Sequence, residues 1–242
     1  MEAVILAGGL GTRLRQAVSD VPKCMAQVSG KPFLWYWLRY LSSYSITKIV
    51  LSLGYKAPTV IDWIETVRKE FPFDILYTVE DEPLGTGGAI RFALEKTTSQ
   101  DVLIINGDSV FFIPIDGLFK QYKEKNPPLA LALKPMADFD RYGNVTIDEN
   151  NIITSFEEKR FCKKGLINAG VYILNKQKAD LSSQNERFSF EKEVLEKRKD
   201  ICGFVYDGYF IDIGIPEDYY KAQTELKENL FLYLWHNRKR KS

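Results

Sequence analysis

The sequence predicts an α/β fold: a mixed, mainly parallel sheet flanked by helices, with a smaller antiparallel part. Three observations carry this. Short β-branched runs alternate with helical patterns through the first half of the chain. After Asp108 that rhythm gives way to strand-like runs separated by turn residues. The first strand also runs straight into a glycine-rich loop, Gly8-Gly9-Leu10-Gly11-Thr12-Arg13-Leu14.

The elements follow in order. Residues 3–6 read as a buried strand, 49–53 as a second, 75–79 as a third and 102–105 as a fourth. A helix is predicted over 31–44, with Pro32 in its first turn. Val60, Ile64, Val67 and Phe71 recur at helical spacing and mark one apolar face. Beyond Asp108, residues 129–133, 145–147, 152–156 and 167–174 read as strands with few helices between them. Tyr142-Gly143-Asn144 and Asp148-Glu149-Asn150-Asn151 supply turns. A last helix runs from Pro216 to about Trp235, and its aromatics Phe231, Tyr233 and Trp235 have two destinations, the core or a second subunit in a homodimer.

Composition narrows the function. The 242 residues suit one substantial domain or two small ones with a full core. Lysine and arginine total 33 against 32 acidic residues, a formal charge of +1, which argues against a general nucleic-acid binder. An aromatic content of 13% supplies burial energy that a disordered chain lacks. Cys24, Cys162 and Cys202 form no C-x-x-C pair, which fits a reducing cytoplasm and removes a disulfide scaffold or a cysteine-rich zinc site. His236 is the single histidine and precedes Arg238-Lys239-Arg240-Lys241, read as a solvated basic tail over 236–242. Carboxylates, lysine and arginine are therefore left to carry any chemistry. The first residues lack the basic region of a signal peptide, and no apolar run approaches the ~20 residues of a membrane span.

The glycine loop fits neither common nucleotide template. A dinucleotide fingerprint beginning at Gly9 needs glycine where Leu14 stands, and a P-loop beginning at Gly8 needs glycine where Arg13 stands. Small residues there still let backbone N–H groups approach phosphate, and Thr12 adds a hydroxyl. Arg13 and Lys23, the latter behind Pro22, bring two cations to the loop, a fork and a point charge suited to a triphosphate.

Leu6-Ala7-Gly8-Gly9-Leu10-Gly11-Thr12-Arg13-Leu14 with Pro22-Lys23 and Met25 resembles the sugar-1-phosphate nucleotidyltransferases. Later blocks follow in order: Leu84-Gly85-Thr86-Gly87-Gly88-Ala89, Asn106-Gly107-Asp108, Glu158-Lys159, Asn168-Ala169-Gly170 and Asp212-Ile213-Gly214. The resemblance covers nearly the whole chain. It implies a Rossmann-like fold of the nucleotidyltransferase (GT-A-like) kind in one domain over 1–235, with a nucleotide-binding half at 1–112 and a sugar-phosphate half at 113–235. It implies that Asp108 and Asp212 jointly hold Mg²⁺, a hard ion suited to few carboxylates plus phosphate and water. It assigns Leu6, Ala7, Gly8, Gly9, Gly11, Thr12, Arg13, Lys23, Glu80, Gly85, Thr86 and Asp108 to the nucleotide. Gly143, Glu158, Lys159 and Asn168 fall to the sugar phosphate.

The implied reaction needs no histidine, because a sugar 1-phosphate is already an anionic oxygen nucleophile toward the α-phosphorus of a nucleoside triphosphate. By the family's pattern Arg13 neutralises the leaving pyrophosphate, Lys23 contacts the reacting phosphates and Lys159 holds the sugar phosphate. Glu80 favours GTP, since a carboxylate accepts from both N1–H and the 2-amino group of guanine, whereas uracil or thymine offers one such donor. Segments 82–90, 138–143, 165–170 and 212–219 are most similar to members that take a manno-configured heptose 1-phosphate for bacterial surface glycans. Cys24 in place of a more usual proline, and Gln27, are departures that bear on loop stiffness. Three readings stay open beside this one: a mannose or other hexose 1-phosphate nucleotidyltransferase, a catalytically silent nucleotide-sugar sensor, and a dinucleotide oxidoreductase.

Overall fold

The computed structural model describes residues 1–9, 11, 14, 18 and 21–241, with side chains through 236. In chain order the elements are β1 (Glu2–Leu6), β2 (Gln27–Val28), β3 (Lys31–Pro32), α1 (Phe33–Leu41), β4 (Lys48–Leu53), α2 (Ala57–Val67) and β5 (Asp74–Val79). Then come α3 (Gly85–Leu94), β6 (Asp101–Asn106), β7 (Ser109–Phe111), α4 (Ile115–Lys125), β8 (Leu129–Phe139), β9 (Asn144–Ile147) and β10 (Ile153–Phe156). The chain closes with β11 (Cys162–Asn175), α5 (Lys176–Ala179), β12 (Ile201–Val205), β13 (Phe210–Asp212) and α6 (Pro216–Lys241).

The main sheet runs β10-β9-β11-β6-β1-β4-β5, with β8 pairing to β11 and β12. β6, β1, β4 and β5 are parallel, as the alternating rhythm predicts, and β11 joins them antiparallel through Val171↔Ile105. β1, β4 and β6 are largely apolar through their inner positions because both faces are covered. β5, at the sheet edge, leaves Leu76, Tyr77 and Val79 exposed. Ala3, Ile5, Ile49 and Leu51 pack with α1, α2 and α6, while Val4, Val50, Val102 and Ile104 pack with Ile90 and Ala93 of α3. Among the described residues no helix is long and apolar enough to cross a membrane.

Several boundaries differ from expectation, each for a physical reason. Lys31 and Pro32 form a short strand with Gln27 and Val28, and the helix starts at Phe33, so Pro32 precedes it rather than sitting in its first turn. Helix α2 ends at Val67; a tighter turn follows, and Phe71 is buried from beyond the helix, stacked on Phe73. Helix α4 and the parallel strand β12 interrupt the expected antiparallel half. Helix α6 continues to Lys241 instead of stopping near Trp235. Tyr233 packs on the core, while Phe231 and Trp235 stay exposed.

Glu2 is buried at the foot of β1, ion-paired to Lys48 at 2.8 Å and accepting the N–H groups of Thr98 and Ser99, each at 2.6 Å. Burial opposes its ionisation, yet Lys48 and these donors outweigh burial and hold the carboxyl down at about 2, from near 4.5. A lowered carboxylate stabilises the fold above its unfolded value and stops doing so as pH falls toward the folded one. Glu2→Gln is expected to cost about 2–3 kcal/mol at neutral pH and to flatten the loss of stability between roughly pH 4.5 and pH 2. Urea unfolding across that range measures both effects.

Candidate active site

The carboxyl ends of β1, β4, β5 and β6 open on one side of the sheet, where ligands of α/β proteins bind. A cavity of about 660 Å³ lies there, lined by Leu6, Ala7, Gly8, Gly9, Gly11, Lys23, Glu80, Gly85, Thr86 and Asp108, among others. The described nucleotide-side residues thus share one cleft. Thr12 and Arg13 lie outside the described residues.

Asp108 reaches the cleft by a sharp step off β6. Gly107 donates its N–H to the Leu6 carbonyl at 2.8 Å, and a β-carbon on Gly107 would lie 2.6 Å from that oxygen, so glycine is required. The strand beyond Asp108 is locked by α1. Trp37 Nε1 donates to the Ser109 carbonyl at 2.6 Å, and the Tyr40 hydroxyl accepts the Ile113 N–H at 3.1 Å, both in the buried core. β7 then pairs antiparallel with β13, placing Asp212 opposite Ser109. Ile213 N–H donates to the Asp108 carbonyl at 3.2 Å, and Gly214 N–H to Asp212 Oδ1 at 2.8 Å. Two carboxylates 104 positions apart in sequence are thereby neighbours.

Lys23 sits between them. Its Nζ lies 2.9 Å from Asp108 Oδ2 and 3.1 Å from Asp212 Oδ1, and its side chain is only 10% exposed. The turn that carries it is anchored by buried Cys24 and Met25, and the Cys24 thiol points at the Ala7 carbonyl 3.7 Å away. Burial pushes that thiol up to about 12, so Cys24 fills space and is no nucleophile. Where a proline is more usual, this residue ties the lysine turn to the first loop.

The donor set fits a hard divalent ion. The two carboxylates already converge on a single cation, and no group of three or more His, Cys, Asp or Glu side chains forms a metal cage among the described residues. An ion held here would take its remaining ligands from water and phosphate, as magnesium usually does.

Glu80 stands at the opposite wall. Its N–H donates to the Leu53 carbonyl at 2.9 Å, and its Oε2 accepts the Leu84 N–H at 2.9 Å, which fixes the carboxylate beside Gly8. A β-carbon on Gly8 would lie 3.5 Å from Glu80 Oε1. Gly85 opens α3 with φ +72°, and a β-carbon there would meet the Phe188 carbonyl at 2.5 Å. The Thr86 hydroxyl is committed within the protein, donating to Glu191 at 2.6 Å and accepting the Phe190 N–H at 2.9 Å.

The sugar-side residues are not gathered to the same degree. Asn168 lies on β11 and donates to the Tyr172 hydroxyl at 3.0 Å, while a β-carbon on Gly143 would lie 2.5 Å from the Glu157 carbonyl oxygen. Glu158 and Lys159 are exposed on the connection between β10 and β11, and neither they, Gly143 nor Asn168 lines the cavity. Sequence reasoning passed over Arg141 and Tyr142, which flank Asp212. Tyr142 packs edge-on against Phe210, Arg141 pairs with Asp218 at 2.5 Å, and burial with the negative charge of Asp212 raises the Tyr142 phenol. The run Arg141-Tyr142-Gly143 was the available signal, but only its glycine was singled out.

The nucleotidyl transferase family pattern matches residues 2–229. The chain is 48% identical over 232 residues to the D-glycero-alpha-D-manno-heptose 1-phosphate guanylyltransferase of Aneurinibacillus thermoaerophilus, covering 94% of this chain and 99% of that one. It is 44% identical to the enzyme of the same name from Campylobacter jejuni, covering 91% and 97% of the two chains. The crystal structure of HddC from Yersinia pseudotuberculosis complexed with GMP-PN superposes with a TM-score of 0.81 at 40% identity, covering 92% of this chain and 97% of that one.

Proposed function

The chain belongs to the nucleotidyl transferase family, and from that premise we propose that it transfers a guanylyl group from GTP to D-glycero-α-D-manno-heptose 1-phosphate, releasing pyrophosphate. The observation that carries the reading is the convergence of Asp108 and Asp212 on one cation at the rim of a glycine-floored cleft. The relatives named heptose 1-phosphate guanylyltransferases support the choice of sugar and base, as does the neighbour bound to GMP-PN.

An oxygen of the sugar phosphate attacks the α-phosphorus in line. The new P–O bond forms as the bond from the α-phosphorus to the bridging oxygen breaks, and that oxygen leaves with pyrophosphate. No proton has to be removed from the nucleophile. The chain's task is to overcome repulsion between anions and to stabilise charge on the transferred phosphorus. In this reading Lys23 faces the reacting phosphates, with Arg13 on the leaving group. Asp108 and Asp212 would hold Mg²⁺, which would supply neutralisation of phosphate charge. Gly8, Gly9 and Gly11 admit the phosphates, and Glu80 receives the guanine edge. Glu158, Lys159, Gly143 and Asn168 meet the sugar phosphate, with residues 1–112 serving the nucleotide and 113–235 the sugar. The exposed Phe231 and Trp235 on α6 suit a homodimer, and the three unpaired cysteines suit the reducing cytoplasm.

A pyrophosphate-release matrix of GTP, ATP, CTP, UTP and dTTP against heptose, mannose and glucose 1-phosphates tests the proposal. GTP with the manno-heptose phosphate is expected to turn over fastest, by about tenfold or more over UTP and dTTP. Equal turnover with UTP or dTTP would overturn the base assignment, and faster turnover with a hexose phosphate the sugar assignment.

A further inference from the structure

Lys23 does more in this structure than wait for phosphate. Its ammonium holds both carboxylates of the pair at 2.9 and 3.1 Å, and a β-carbon on neighbouring Gly214 would lie only 3.3 Å from its Nζ. A side chain 10% exposed with two charged partners is seated there. A divalent ion drawing on the same two oxygens, Asp108 Oδ2 and Asp212 Oδ1, would stand where the ammonium stands, and two cations that close repel each other. We infer that Lys23 is a built-in counter-ion that occupies the divalent-cation position until a nucleotide arrives, and that its transfer to the phosphates opens the carboxylates to the metal.

The backbone suits such an exchange. Lys23 opens a turn whose next residues, Cys24 and Met25, are buried, so the main chain stays while four flexible methylenes swing the ammonium. A triphosphate entering beside Gly11 brings several negative oxygens to compete for that ammonium. Gly11 adjoins the lysine, since a β-carbon there would lie 3.1 Å from Lys23 Cβ. Metal and nucleotide therefore promote each other's binding, and the promotion is equal in both directions. The inference rests on the nucleotide reading above for its second half only, because the nucleotide-free protein already tests the first.

The probe is Mn²⁺, titrated into the full chain and followed by its free-ion electron paramagnetic resonance signal. Wild type, Lys23→Met and Lys23→Arg are compared without nucleotide and then with GTP alone, after correction for Mn²⁺ held by free GTP. Circular dichroism first verifies that each variant is folded. Without nucleotide, K23M is expected to bind Mn²⁺ about tenfold more tightly than wild type, and K23R to bind as wild type does. Phosphate ligation of the ion is common to both proteins, so GTP should tighten Mn²⁺ binding to wild type about tenfold more than it tightens binding to K23M. Equal or weaker Mn²⁺ binding by nucleotide-free K23M would overturn the exchange, as would equal tightening of both proteins by GTP. Absence of any GTP binding would count against the substrate reading while leaving the nucleotide-free comparison decisive for the counter-ion.

Discussion

Asp108→Asn is expected to lower kcat by about 10²–10³ with GTP and sugar 1-phosphate while leaving the melting temperature within a few degrees of wild type. Asparagine has the same shape and keeps one acceptor oxygen, so what it removes is charge. The side chain is 52% exposed and its partner Lys23 retains Asp212, so the lost ion pair costs at most about 1 kcal/mol of stability. In the proposed reaction that charge is half of the protein's grip on the divalent ion. Steady-state turnover beside differential scanning fluorimetry reads both quantities. Turnover within threefold of wild type would remove Asp108 from the metal assignment. A collapse of the melting temperature would instead make it a structural residue. Asp212→Asn is a less clean variant, because Asp212 Oδ1 also accepts the Gly214 N–H and that turn would change with it.

The contrast between these aspartates bears on what the sequence could disclose. The parallel strands were legible as short runs rich in apolar and β-branched residues, most continuous in β1 and β6 where both faces are covered, and each is found within a residue of its expected bounds. Asp108 was legible as a strand-end carboxylate for the same reason. What no local pattern contained was the ladder that sets Asp212 opposite Ser109, or the lysine seated between the carboxylates, since both depend on pairing across more than a hundred residues. Helix α4 escaped because it buries only Ile115, Leu118 and Tyr122 among charged neighbours. Strand β12 escaped because its partner β8 lies some seventy positions upstream and runs parallel to it. Thr86 shows a second use that a local pattern does not disclose: it lines the cleft, and its hydroxyl also ties α3 to residues 190 and 191.

Glu80→Gln should cost the largest share of base selectivity, about 10²–10³ in kcat/KM for GTP, with UTP turnover changed by less than about fivefold. The argument starts from the donors the carboxylate already has. Oε2 accepts the Leu84 N–H at 2.9 Å, which orients the group and leaves Oε1 toward the Gly8 side of the cleft. In the proposed complex guanine presents N1–H and the 2-amino group, two donors that a carboxylate accepts together. Glutamine keeps one oxygen. The Leu84 N–H claims it, so the amide NH₂ turns toward guanine and sets donor against donor. A polar site built for two hydrogen bonds then discriminates against its own substrate, because the purine edge loses its water and gains no partner. Uracil, with one donor and two carbonyl acceptors, meets an NH₂ group without that conflict, so selectivity should shift toward UTP. Parallel kcat/KM measurements with GTP, ITP and UTP separate the contributions. ITP lacks the 2-amino group and should lose less than GTP does, and equal losses with all three triphosphates would show that Glu80 supports the loop through Leu84 without reading the base.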